Sequence, residues 1–198
     1  MADAAEGYCT LKHRKLTSAL LGLMLFNAEF VLPAAPLPRT SPEFSINELS
    51  GKTTMLSSFK GKVVVLEFLF VRSQHCQRVA QLLNGLQREL GARGLQSIGI
   101  AFDAPNAAVT GGEYVNAMAE SLQLTYPVGY AQRAAVDTYL GRSANDLLSI
   151  PQIVVIDRAG TIRAATGGQV NPSLEDANSL RTMLDALLEE SPAPHTKS

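Results

Sequence analysis

Tryptophan is absent from the 198 residues, and the chemically versatile side chains are few: two cysteines, Cys9 and Cys76, and three histidines, His13, His75 and His195. Two cysteines this far apart form neither a disulfide scaffold nor a cysteine-rich metal motif, and isolated histidines offer no paired ligand spacing. No metal and no cofactor is therefore expected. An excess of one charge is also missing, with 17 Lys+Arg against 18 Asp+Glu and a net charge of -1. That excludes the basic footprint of a nucleic-acid binder. No internal repeat is visible. What remains is an ordinary globular balance, 46% apolar and 18% charged, enough for one domain with a proper core plus a leader.

The leader occupies residues 1–35. Lys12-His13-Arg14-Lys15 is a basic segment, and Leu16 to Phe26 is an uncharged, mildly apolar run. This order reads as a secretory signal peptide. An uncleaved membrane anchor is the competing reading, although Glu29 interrupts the ~20 apolar residues that a full span requires. A leader of a cytosolic protein is a third reading. Under the first two the domain is extracytoplasmic: secreted, periplasmic or tethered to a membrane and facing outward. Loss of the leader would leave Cys76 as the only thiol. Pro33, Pro36, Pro38 and Pro42 mark residues 36–42 as an extended linker. The domain is expected over 43–190, followed by a polar tail over 191–198.

Within the domain, Phe44-Ser45-Ile46 predicts a short strand, Leu49 to Lys52 a turn and Ser57 to Lys62 a loop. Lys62 to Val71 is too apolar to alternate, which predicts a strand buried on both faces of a sheet. Val79, Leu82, Leu83, Leu86 and Leu90 form one stripe at helical spacing, predicting a helix from Cys76 to Gly91. Leu95 to Phe102 predicts the next strand, and a strand–helix–strand unit of this kind is parallel and right-handed. A helix over Thr110–Leu122, a short edge strand over Tyr126–Gly129 and a helix over Arg133–Leu140 follow. Ile153–Asp157 and Ile162–Thr166 flank a tight turn and predict a hairpin. Asn171-Pro172-Ser173 is expected to open a last helix reaching Glu189. The sum is an α/β protein, a three-layer α/β/α sandwich around a central mixed sheet.

Chemistry concentrates at Ser73-Gln74-His75-Cys76, directly after the buried strand. At the start of a helix, free N–H groups and the dipole favour a Cys76 thiolate, whereas burial opposes it. Both outcomes stay open, as do a reactive thiol and a buried remnant that packs like a small hydrophobe. His75 either lowers the Cys76 pKa or is a solvated loop histidine. Ser73 is a helix N-cap, a ligand hydroxyl, or both. Glu67 places a charge inside a buried strand. Such a residue is either a proton carrier with a raised pKa or half of an ion pair.

With these elements in place the chain resembles the thioredoxin superfamily. More narrowly it resembles the TlpA/ResA-type redoxins, which share traits with the AhpC/TSA peroxiredoxins. The resemblance is carried by Phe44 to Lys52, by Leu56 to Phe68, by the Ser73–Cys76 site and by Ile150 to Gly160. It implies a thioredoxin-like fold and thiol-based redox activity of antioxidant or thiol–disulfide oxidoreductase type. In that overlay Cys76 matches the second, more buried cysteine of the thioredoxin motif. Glu67 matches a buried carboxylate that takes its proton, and Pro151, after Ile150, matches the cis-proline that shapes substrate binding.

The departures are as informative. Ser73 stands in place of the nucleophilic cysteine and Arg72 in place of the usual tryptophan. Val79 replaces a glutamate frequent in TlpA/ResA-type chains, and Gln74-His75 replaces a proline-containing dipeptide. The peroxiredoxin pattern Pro-x-x-x-Thr/Ser-x-x-Cys fits Ser73 and Cys76. It fails at Leu69, and Pro151 stands where its arginine belongs, leaving Arg72 or Arg142 to substitute only in another geometry. The candidate catalytic set is thus Cys76, Ser73, Glu67 and His75, with Pro151, Ile150 and Arg72 as substrate-binding candidates. One expected function is one-cysteine chemistry on a peroxide or protein disulfide, resolved by an external thiol reductant. The other is a redox-inactive module holding extended peptides beside Pro151.

Overall fold

The computed structural model describes residues 36–48, 50–102, 112–143, 146, 149–166 and 174–190. All lie in one compact unit, Pro33–Ser198. The leader, the start of the predicted last helix at 171–173 and the tail fall outside the described residues.

Eight strands form a single mixed sheet in the order β1-β8-β7-β4-β5-β6-β2-β3. Its centre is β4 (Val63–Leu69), paired in parallel with β5 (Leu95–Ala101) and antiparallel with β7 (Gln152–Ile156). All seven residues of β4 are buried, as its unbroken apolar run requires. Side chains alternate between faces along a strand. Val63, Val65 and Leu69 therefore join one core with α1 (Gln74–Leu90), α2 (Gly112–Ser121) and α4 (Ala177–Glu189). Val64, Leu66 and Phe68 join the other, with Phe44 and with Val136 and Tyr139 of α3 (Arg133–Leu140). This is the thioredoxin-like arrangement, a mixed sheet between helical layers.

The α1 stripe forms as its spacing dictates, burying Val79, Leu83, Leu86 and Leu90. Each such side chain contributes roughly 1.5–3 kcal/mol by leaving water. Asn84 interrupts the stripe with a purpose: its amide donates to the Gln123 carbonyl and its oxygen accepts from the Thr125 N–H and hydroxyl. That pins the turn after α2 to α1. The guanidinium of Arg158 donates to the carbonyls of Gly61, Arg93 and Leu188.

Three sequence expectations change, and one unassigned segment becomes a strand. The segment predicted as an edge strand is β6 (Val128–Tyr130), and it is interior, flanked by β5 and by β2 (Ser45–Glu48). The sheet continues because β2 folds back through a hairpin onto β3 (Thr53–Met55), a short polar strand to which the sequence pattern assigns no element. Gly129 makes the close approach possible, since a Cβ there would lie 2.8 Å from the Asn47 carbonyl oxygen and 2.5 Å from an Ile46 methyl. Within the presumed linker, Arg39–Thr40 forms β1 against β8 (Thr161–Ala165). Finally, α4 begins at Ala177, capped by Asp176, whose carboxylate accepts from the Ser179 N–H. The cap, rather than a proline in the first turn, sets that helix start.

Candidate functional site

The chain leaves β4 through Phe70 and Val71, turns, and enters α1 at Ser73. Ser73 is the N-cap: its backbone is extended and its Oγ accepts from the Cys76 N–H at 3.3 Å. The Ser73 carbonyl accepts the Gln77 N–H, and the Gln77 side chain returns to the Val71 carbonyl at 2.8 Å. These bonds fix the first turn of α1, and with it Cys76.

Cys76 is a free thiol with no solvent exposure. Burial pushes its pKa above the ordinary thiol range; hydrogen bonding by Ser73 and the Phe70 backbone opposes this, and the charge of Glu67 adds to it. Of the two outcomes left open by the sequence, the protonated thiol prevails, because loss of solvent outweighs the helix N-terminus.

Glu67 is equally buried, and neither carboxylate oxygen has a hydrogen-bond partner. Its register explains the placement. As residue 67 it follows Val65 and precedes Leu69 on the face of β4 that carries Cys76, opposite Ile153 of β7. Burial raises its pKa to about 8, with a further push from the charge of Glu175. The ion-pair reading of Glu67 is therefore not realised. Tyr126 lies close enough for Glu67 to raise its pKa as well, and its hydroxyl donates to the Ala80 carbonyl at 3.1 Å.

His75 turns outward. Its Nε2 meets Glu175 Oε2 at 2.6 Å, so its partner is a carboxylate from the entry to α4 rather than the Cys76 sulfur. Arg72 also turns away, its guanidinium stacking over the Tyr114 ring of α2 at 5.3 Å. Arg142 is engaged with Asp137, at 3.9 Å, and with the Asp146 carbonyl. The Ile150–Pro151 peptide is cis. Pro151 is buried one register position beyond the Phe68–Gln152 pair, at the end of β4 where the chain turns toward Ser73. Half-buried Ile150 packs on the core cluster that holds Cys76.

The structure thus gathers Glu67, Ser73, Cys76, Ile150 and Pro151 at one end of β4, with His75 on the rim. Sequence reasoning missed Tyr126, Tyr114 and Glu175. Nothing local distinguishes these three; each becomes relevant only through tertiary proximity. Among the described residues no cluster of His, Cys, Asp or Glu could hold a metal ion, and no helix is long and apolar enough to cross a membrane.

This fold and site define a thioredoxin-like redoxin. The chain belongs to the AhpC/TSA family, whose model matches residues 38–165. It is similar to the thioredoxin-like protein YneN of Bacillus subtilis, 26% identical over 123 residues, which cover 62% of this chain and just under two thirds (66%) of YneN. It is similar to the thiol-disulfide oxidoreductase ResA of Bacillus cereus, 23% identical over 81% of this chain and 88% of ResA. In structure it resembles a secreted disulfide oxidoreductase of Mycobacterium tuberculosis homologous to DsbE of E. coli. That match has a TM-score of 0.56 and 19% identity, and covers 73% of this chain and 96% of that one.

Proposed function

We propose that this chain is an extracytoplasmic thiol–disulfide redoxin that works through the single cysteine Cys76 and an external thiol. The observation that carries the reading is Glu67. A wholly buried carboxyl without a partner lowers stability, and its place on the Cys76 face gives it one chemical use, handling the Cys76 proton. The composition of the leader and the secreted relative support the location.

In this scheme a substrate disulfide R–S–S–R′ enters beside Ser73, where a two-cysteine redoxin would present its own sulfur. Ionised Glu67 takes the thiol proton, Cys76 Sγ attacks one substrate sulfur, and the S–S bond breaks. R′S⁻ leaves and recovers the proton from Glu67, and Cys76–S–S–R remains. An external thiol R″SH then attacks the R sulfur, returning Cys76–SH and releasing R–S–S–R″. Ser73 holds the first turn, and Ile150 and Pro151 flank the entering backbone. Because the thiol is buried, exchange requires the first turn of α1 to open.

A second reading is favoured by a different observation, the complete burial of Cys76 behind a serine. It is a redoxin that binds extended peptides beside Pro151 without exchanging disulfides. The deciding experiment uses the full chain with Cys9→Ser, so that Cys76 is the only thiol, incubated with a peptide disulfide and followed by intact-mass spectrometry. A mixed disulfide that forms faster as pH rises through 8, and is absent in Cys76→Ser, supports the exchange reading. Peptide binding without any adduct establishes the second reading instead.

A further inference from the structure

Side-chain bridges join α1 and the turn after it to α4 and its entry at three points. Two lie at the end remote from Cys76 and use arginine: Glu89 with Arg181, and Arg93 with Asp185. The third, His75 with Glu175, lies in the motif itself, one residue from Cys76. Glu175 is unusually well placed for a residue outside a helix. Leu174 before it is 2% exposed and belongs to the same buried cluster as Cys76, and Asp176 after it is the cap of α4. The backbone on both sides of Glu175 is thereby anchored, so its carboxylate is presented to His75 rather than free to wander.

We propose that Glu175 is a positioning residue for the Cys76 site: through His75 it clamps the first turn of α1 onto the Leu174–Asp176 segment and sets how often Cys76 Sγ meets solvent. The geometry has the features of a clamp. One partner sits on the turn that must move for the thiol to be reached, the other on a segment fixed by the core and by a helix cap. Both side chains are partly exposed, at 46% and 36%, so the contact can break and reform without disturbing the core. The proposal concerns access to the thiol and holds whether or not Cys76 exchanges with a natural substrate.

A buried thiol reacts with a disulfide reagent in proportion to the population of its open state. Breaking a partly exposed side-chain bridge should raise that population about two- to fivefold. The test labels Cys76 in the full chain carrying Cys9→Ser, using dithiodipyridine at low ionic strength. Glu175→Gln and His75→Gln are each expected to speed labelling about two- to fivefold. The double variant should go no further than either single one, because both remove the same contact. Arg181→Gln breaks the equivalent bridge at the remote end of the same helix pair and should leave labelling unchanged. The proposal is overturned if Glu175→Gln and His75→Gln label at the parent rate, if their effects add, or if Arg181→Gln accelerates labelling equally. Should the thiol prove too slow to label in every variant, amide hydrogen exchange at Cys76 and Gln77 reads the same opening, and unchanged protection in Glu175→Gln counts against the clamp.

Discussion

Replacing Glu67 with glutamine should stabilise the protein, and by an amount that depends on pH in a defined way. Glu67 has its pKa raised from 4.5 to about 8 in the folded state. A carboxyl raised in this way contributes its full share of stability below the unfolded pKa and loses it as pH climbs toward the folded one. Stability should therefore fall between about pH 4.5 and 8, by close to 1.4 kcal/mol per unit. At pH 7 folding must hold a proton on a group that would be ionised in the unfolded chain, at a cost of roughly 3 kcal/mol; above pH 9 the deficit levels off near roughly 5 kcal/mol. Glutamine has nearly the same shape and leaves a neutral polar group in the same place, but has no proton to retain.

Against a typical total of about 5–15 kcal/mol these are large effects. With a urea m-value of about 1–3 kcal/mol/M, the pH 7 midpoint of Glu67→Gln should move up by about 1–3 M. The assay is urea unfolding of both proteins between pH 4.5 and 9. The curves should converge at the acid end and part steadily to pH 8. A difference that stays flat across pH 5–8 would refute the reasoning, since it would mean that Glu67 finds a partner or water in solution. Glu67→Leu is expected to be more stable still, because it also removes two unsatisfied polar atoms, and to abolish any exchange that needs the proton acceptor.

Other outcomes follow from the same geometry. Ser73→Ala removes the N-cap of α1 and should cost about 1 kcal/mol, read as a lowered unfolding midpoint. Ser73→Cys should confer insulin-reducing turnover on a protein that otherwise shows none; efficient reduction by the parent would contradict the role assigned to Ser73. The Cys76 thiol should resist dithionitrobenzoate in the native protein, react fully in denaturant, and show native reactivity still rising above pH 9, because its pKa is pushed up by burial. Gly129→Ala should destabilise by about 2–3 kcal/mol in a thermal melt, since the new methyl would meet the β2 backbone and Ile46.

Much of this architecture was legible because the strongest signals are local. The unbroken apolar run of β4, the stripe of α1 and the turn between β7 and β8 each need only their own residues. The failures share a different cause. β3 is three residues, Thr53-Thr54-Met55, of which only Thr54 is buried, so no alternation long enough to read exists. β6 was mistaken for an edge because its second neighbour, β2, comes from far upstream in the chain. At the site, sequence could place Cys76 at a helix start but could not weigh the dipole against burial, which depends on what the rest of the chain puts over the sulfur. Glu175 carried no signal, because its importance lies in a contact with a residue 100 positions away.

The two residues most telling at the site, Glu67 and Ser73, differ in what they ask of the fold. Serine is a strongly preferred N-cap, and Ser73 performs that task through its bond from the Cys76 amide. A chain can exchange its exposed nucleophile for serine and fold as well or better, so Ser73 alone says little about whether redox work continues. Glu67 is the opposite case. At neutral pH it withholds roughly 3 kcal/mol from folding, it forms no hydrogen bond, and a valine or leucine would suit its neighbours in β4. A purely structural account predicts its replacement by an apolar residue; a proton-transfer account predicts its retention next to a thiol. The pH dependence of Cys76 exchange in Glu67→Gln separates them. If Glu67 handles the proton, the rise in rate through pH 8 disappears in the variant and only the thiol's own higher titration remains. If the rise persists unchanged, Glu67 is a remnant and the Cys76 proton leaves by another route.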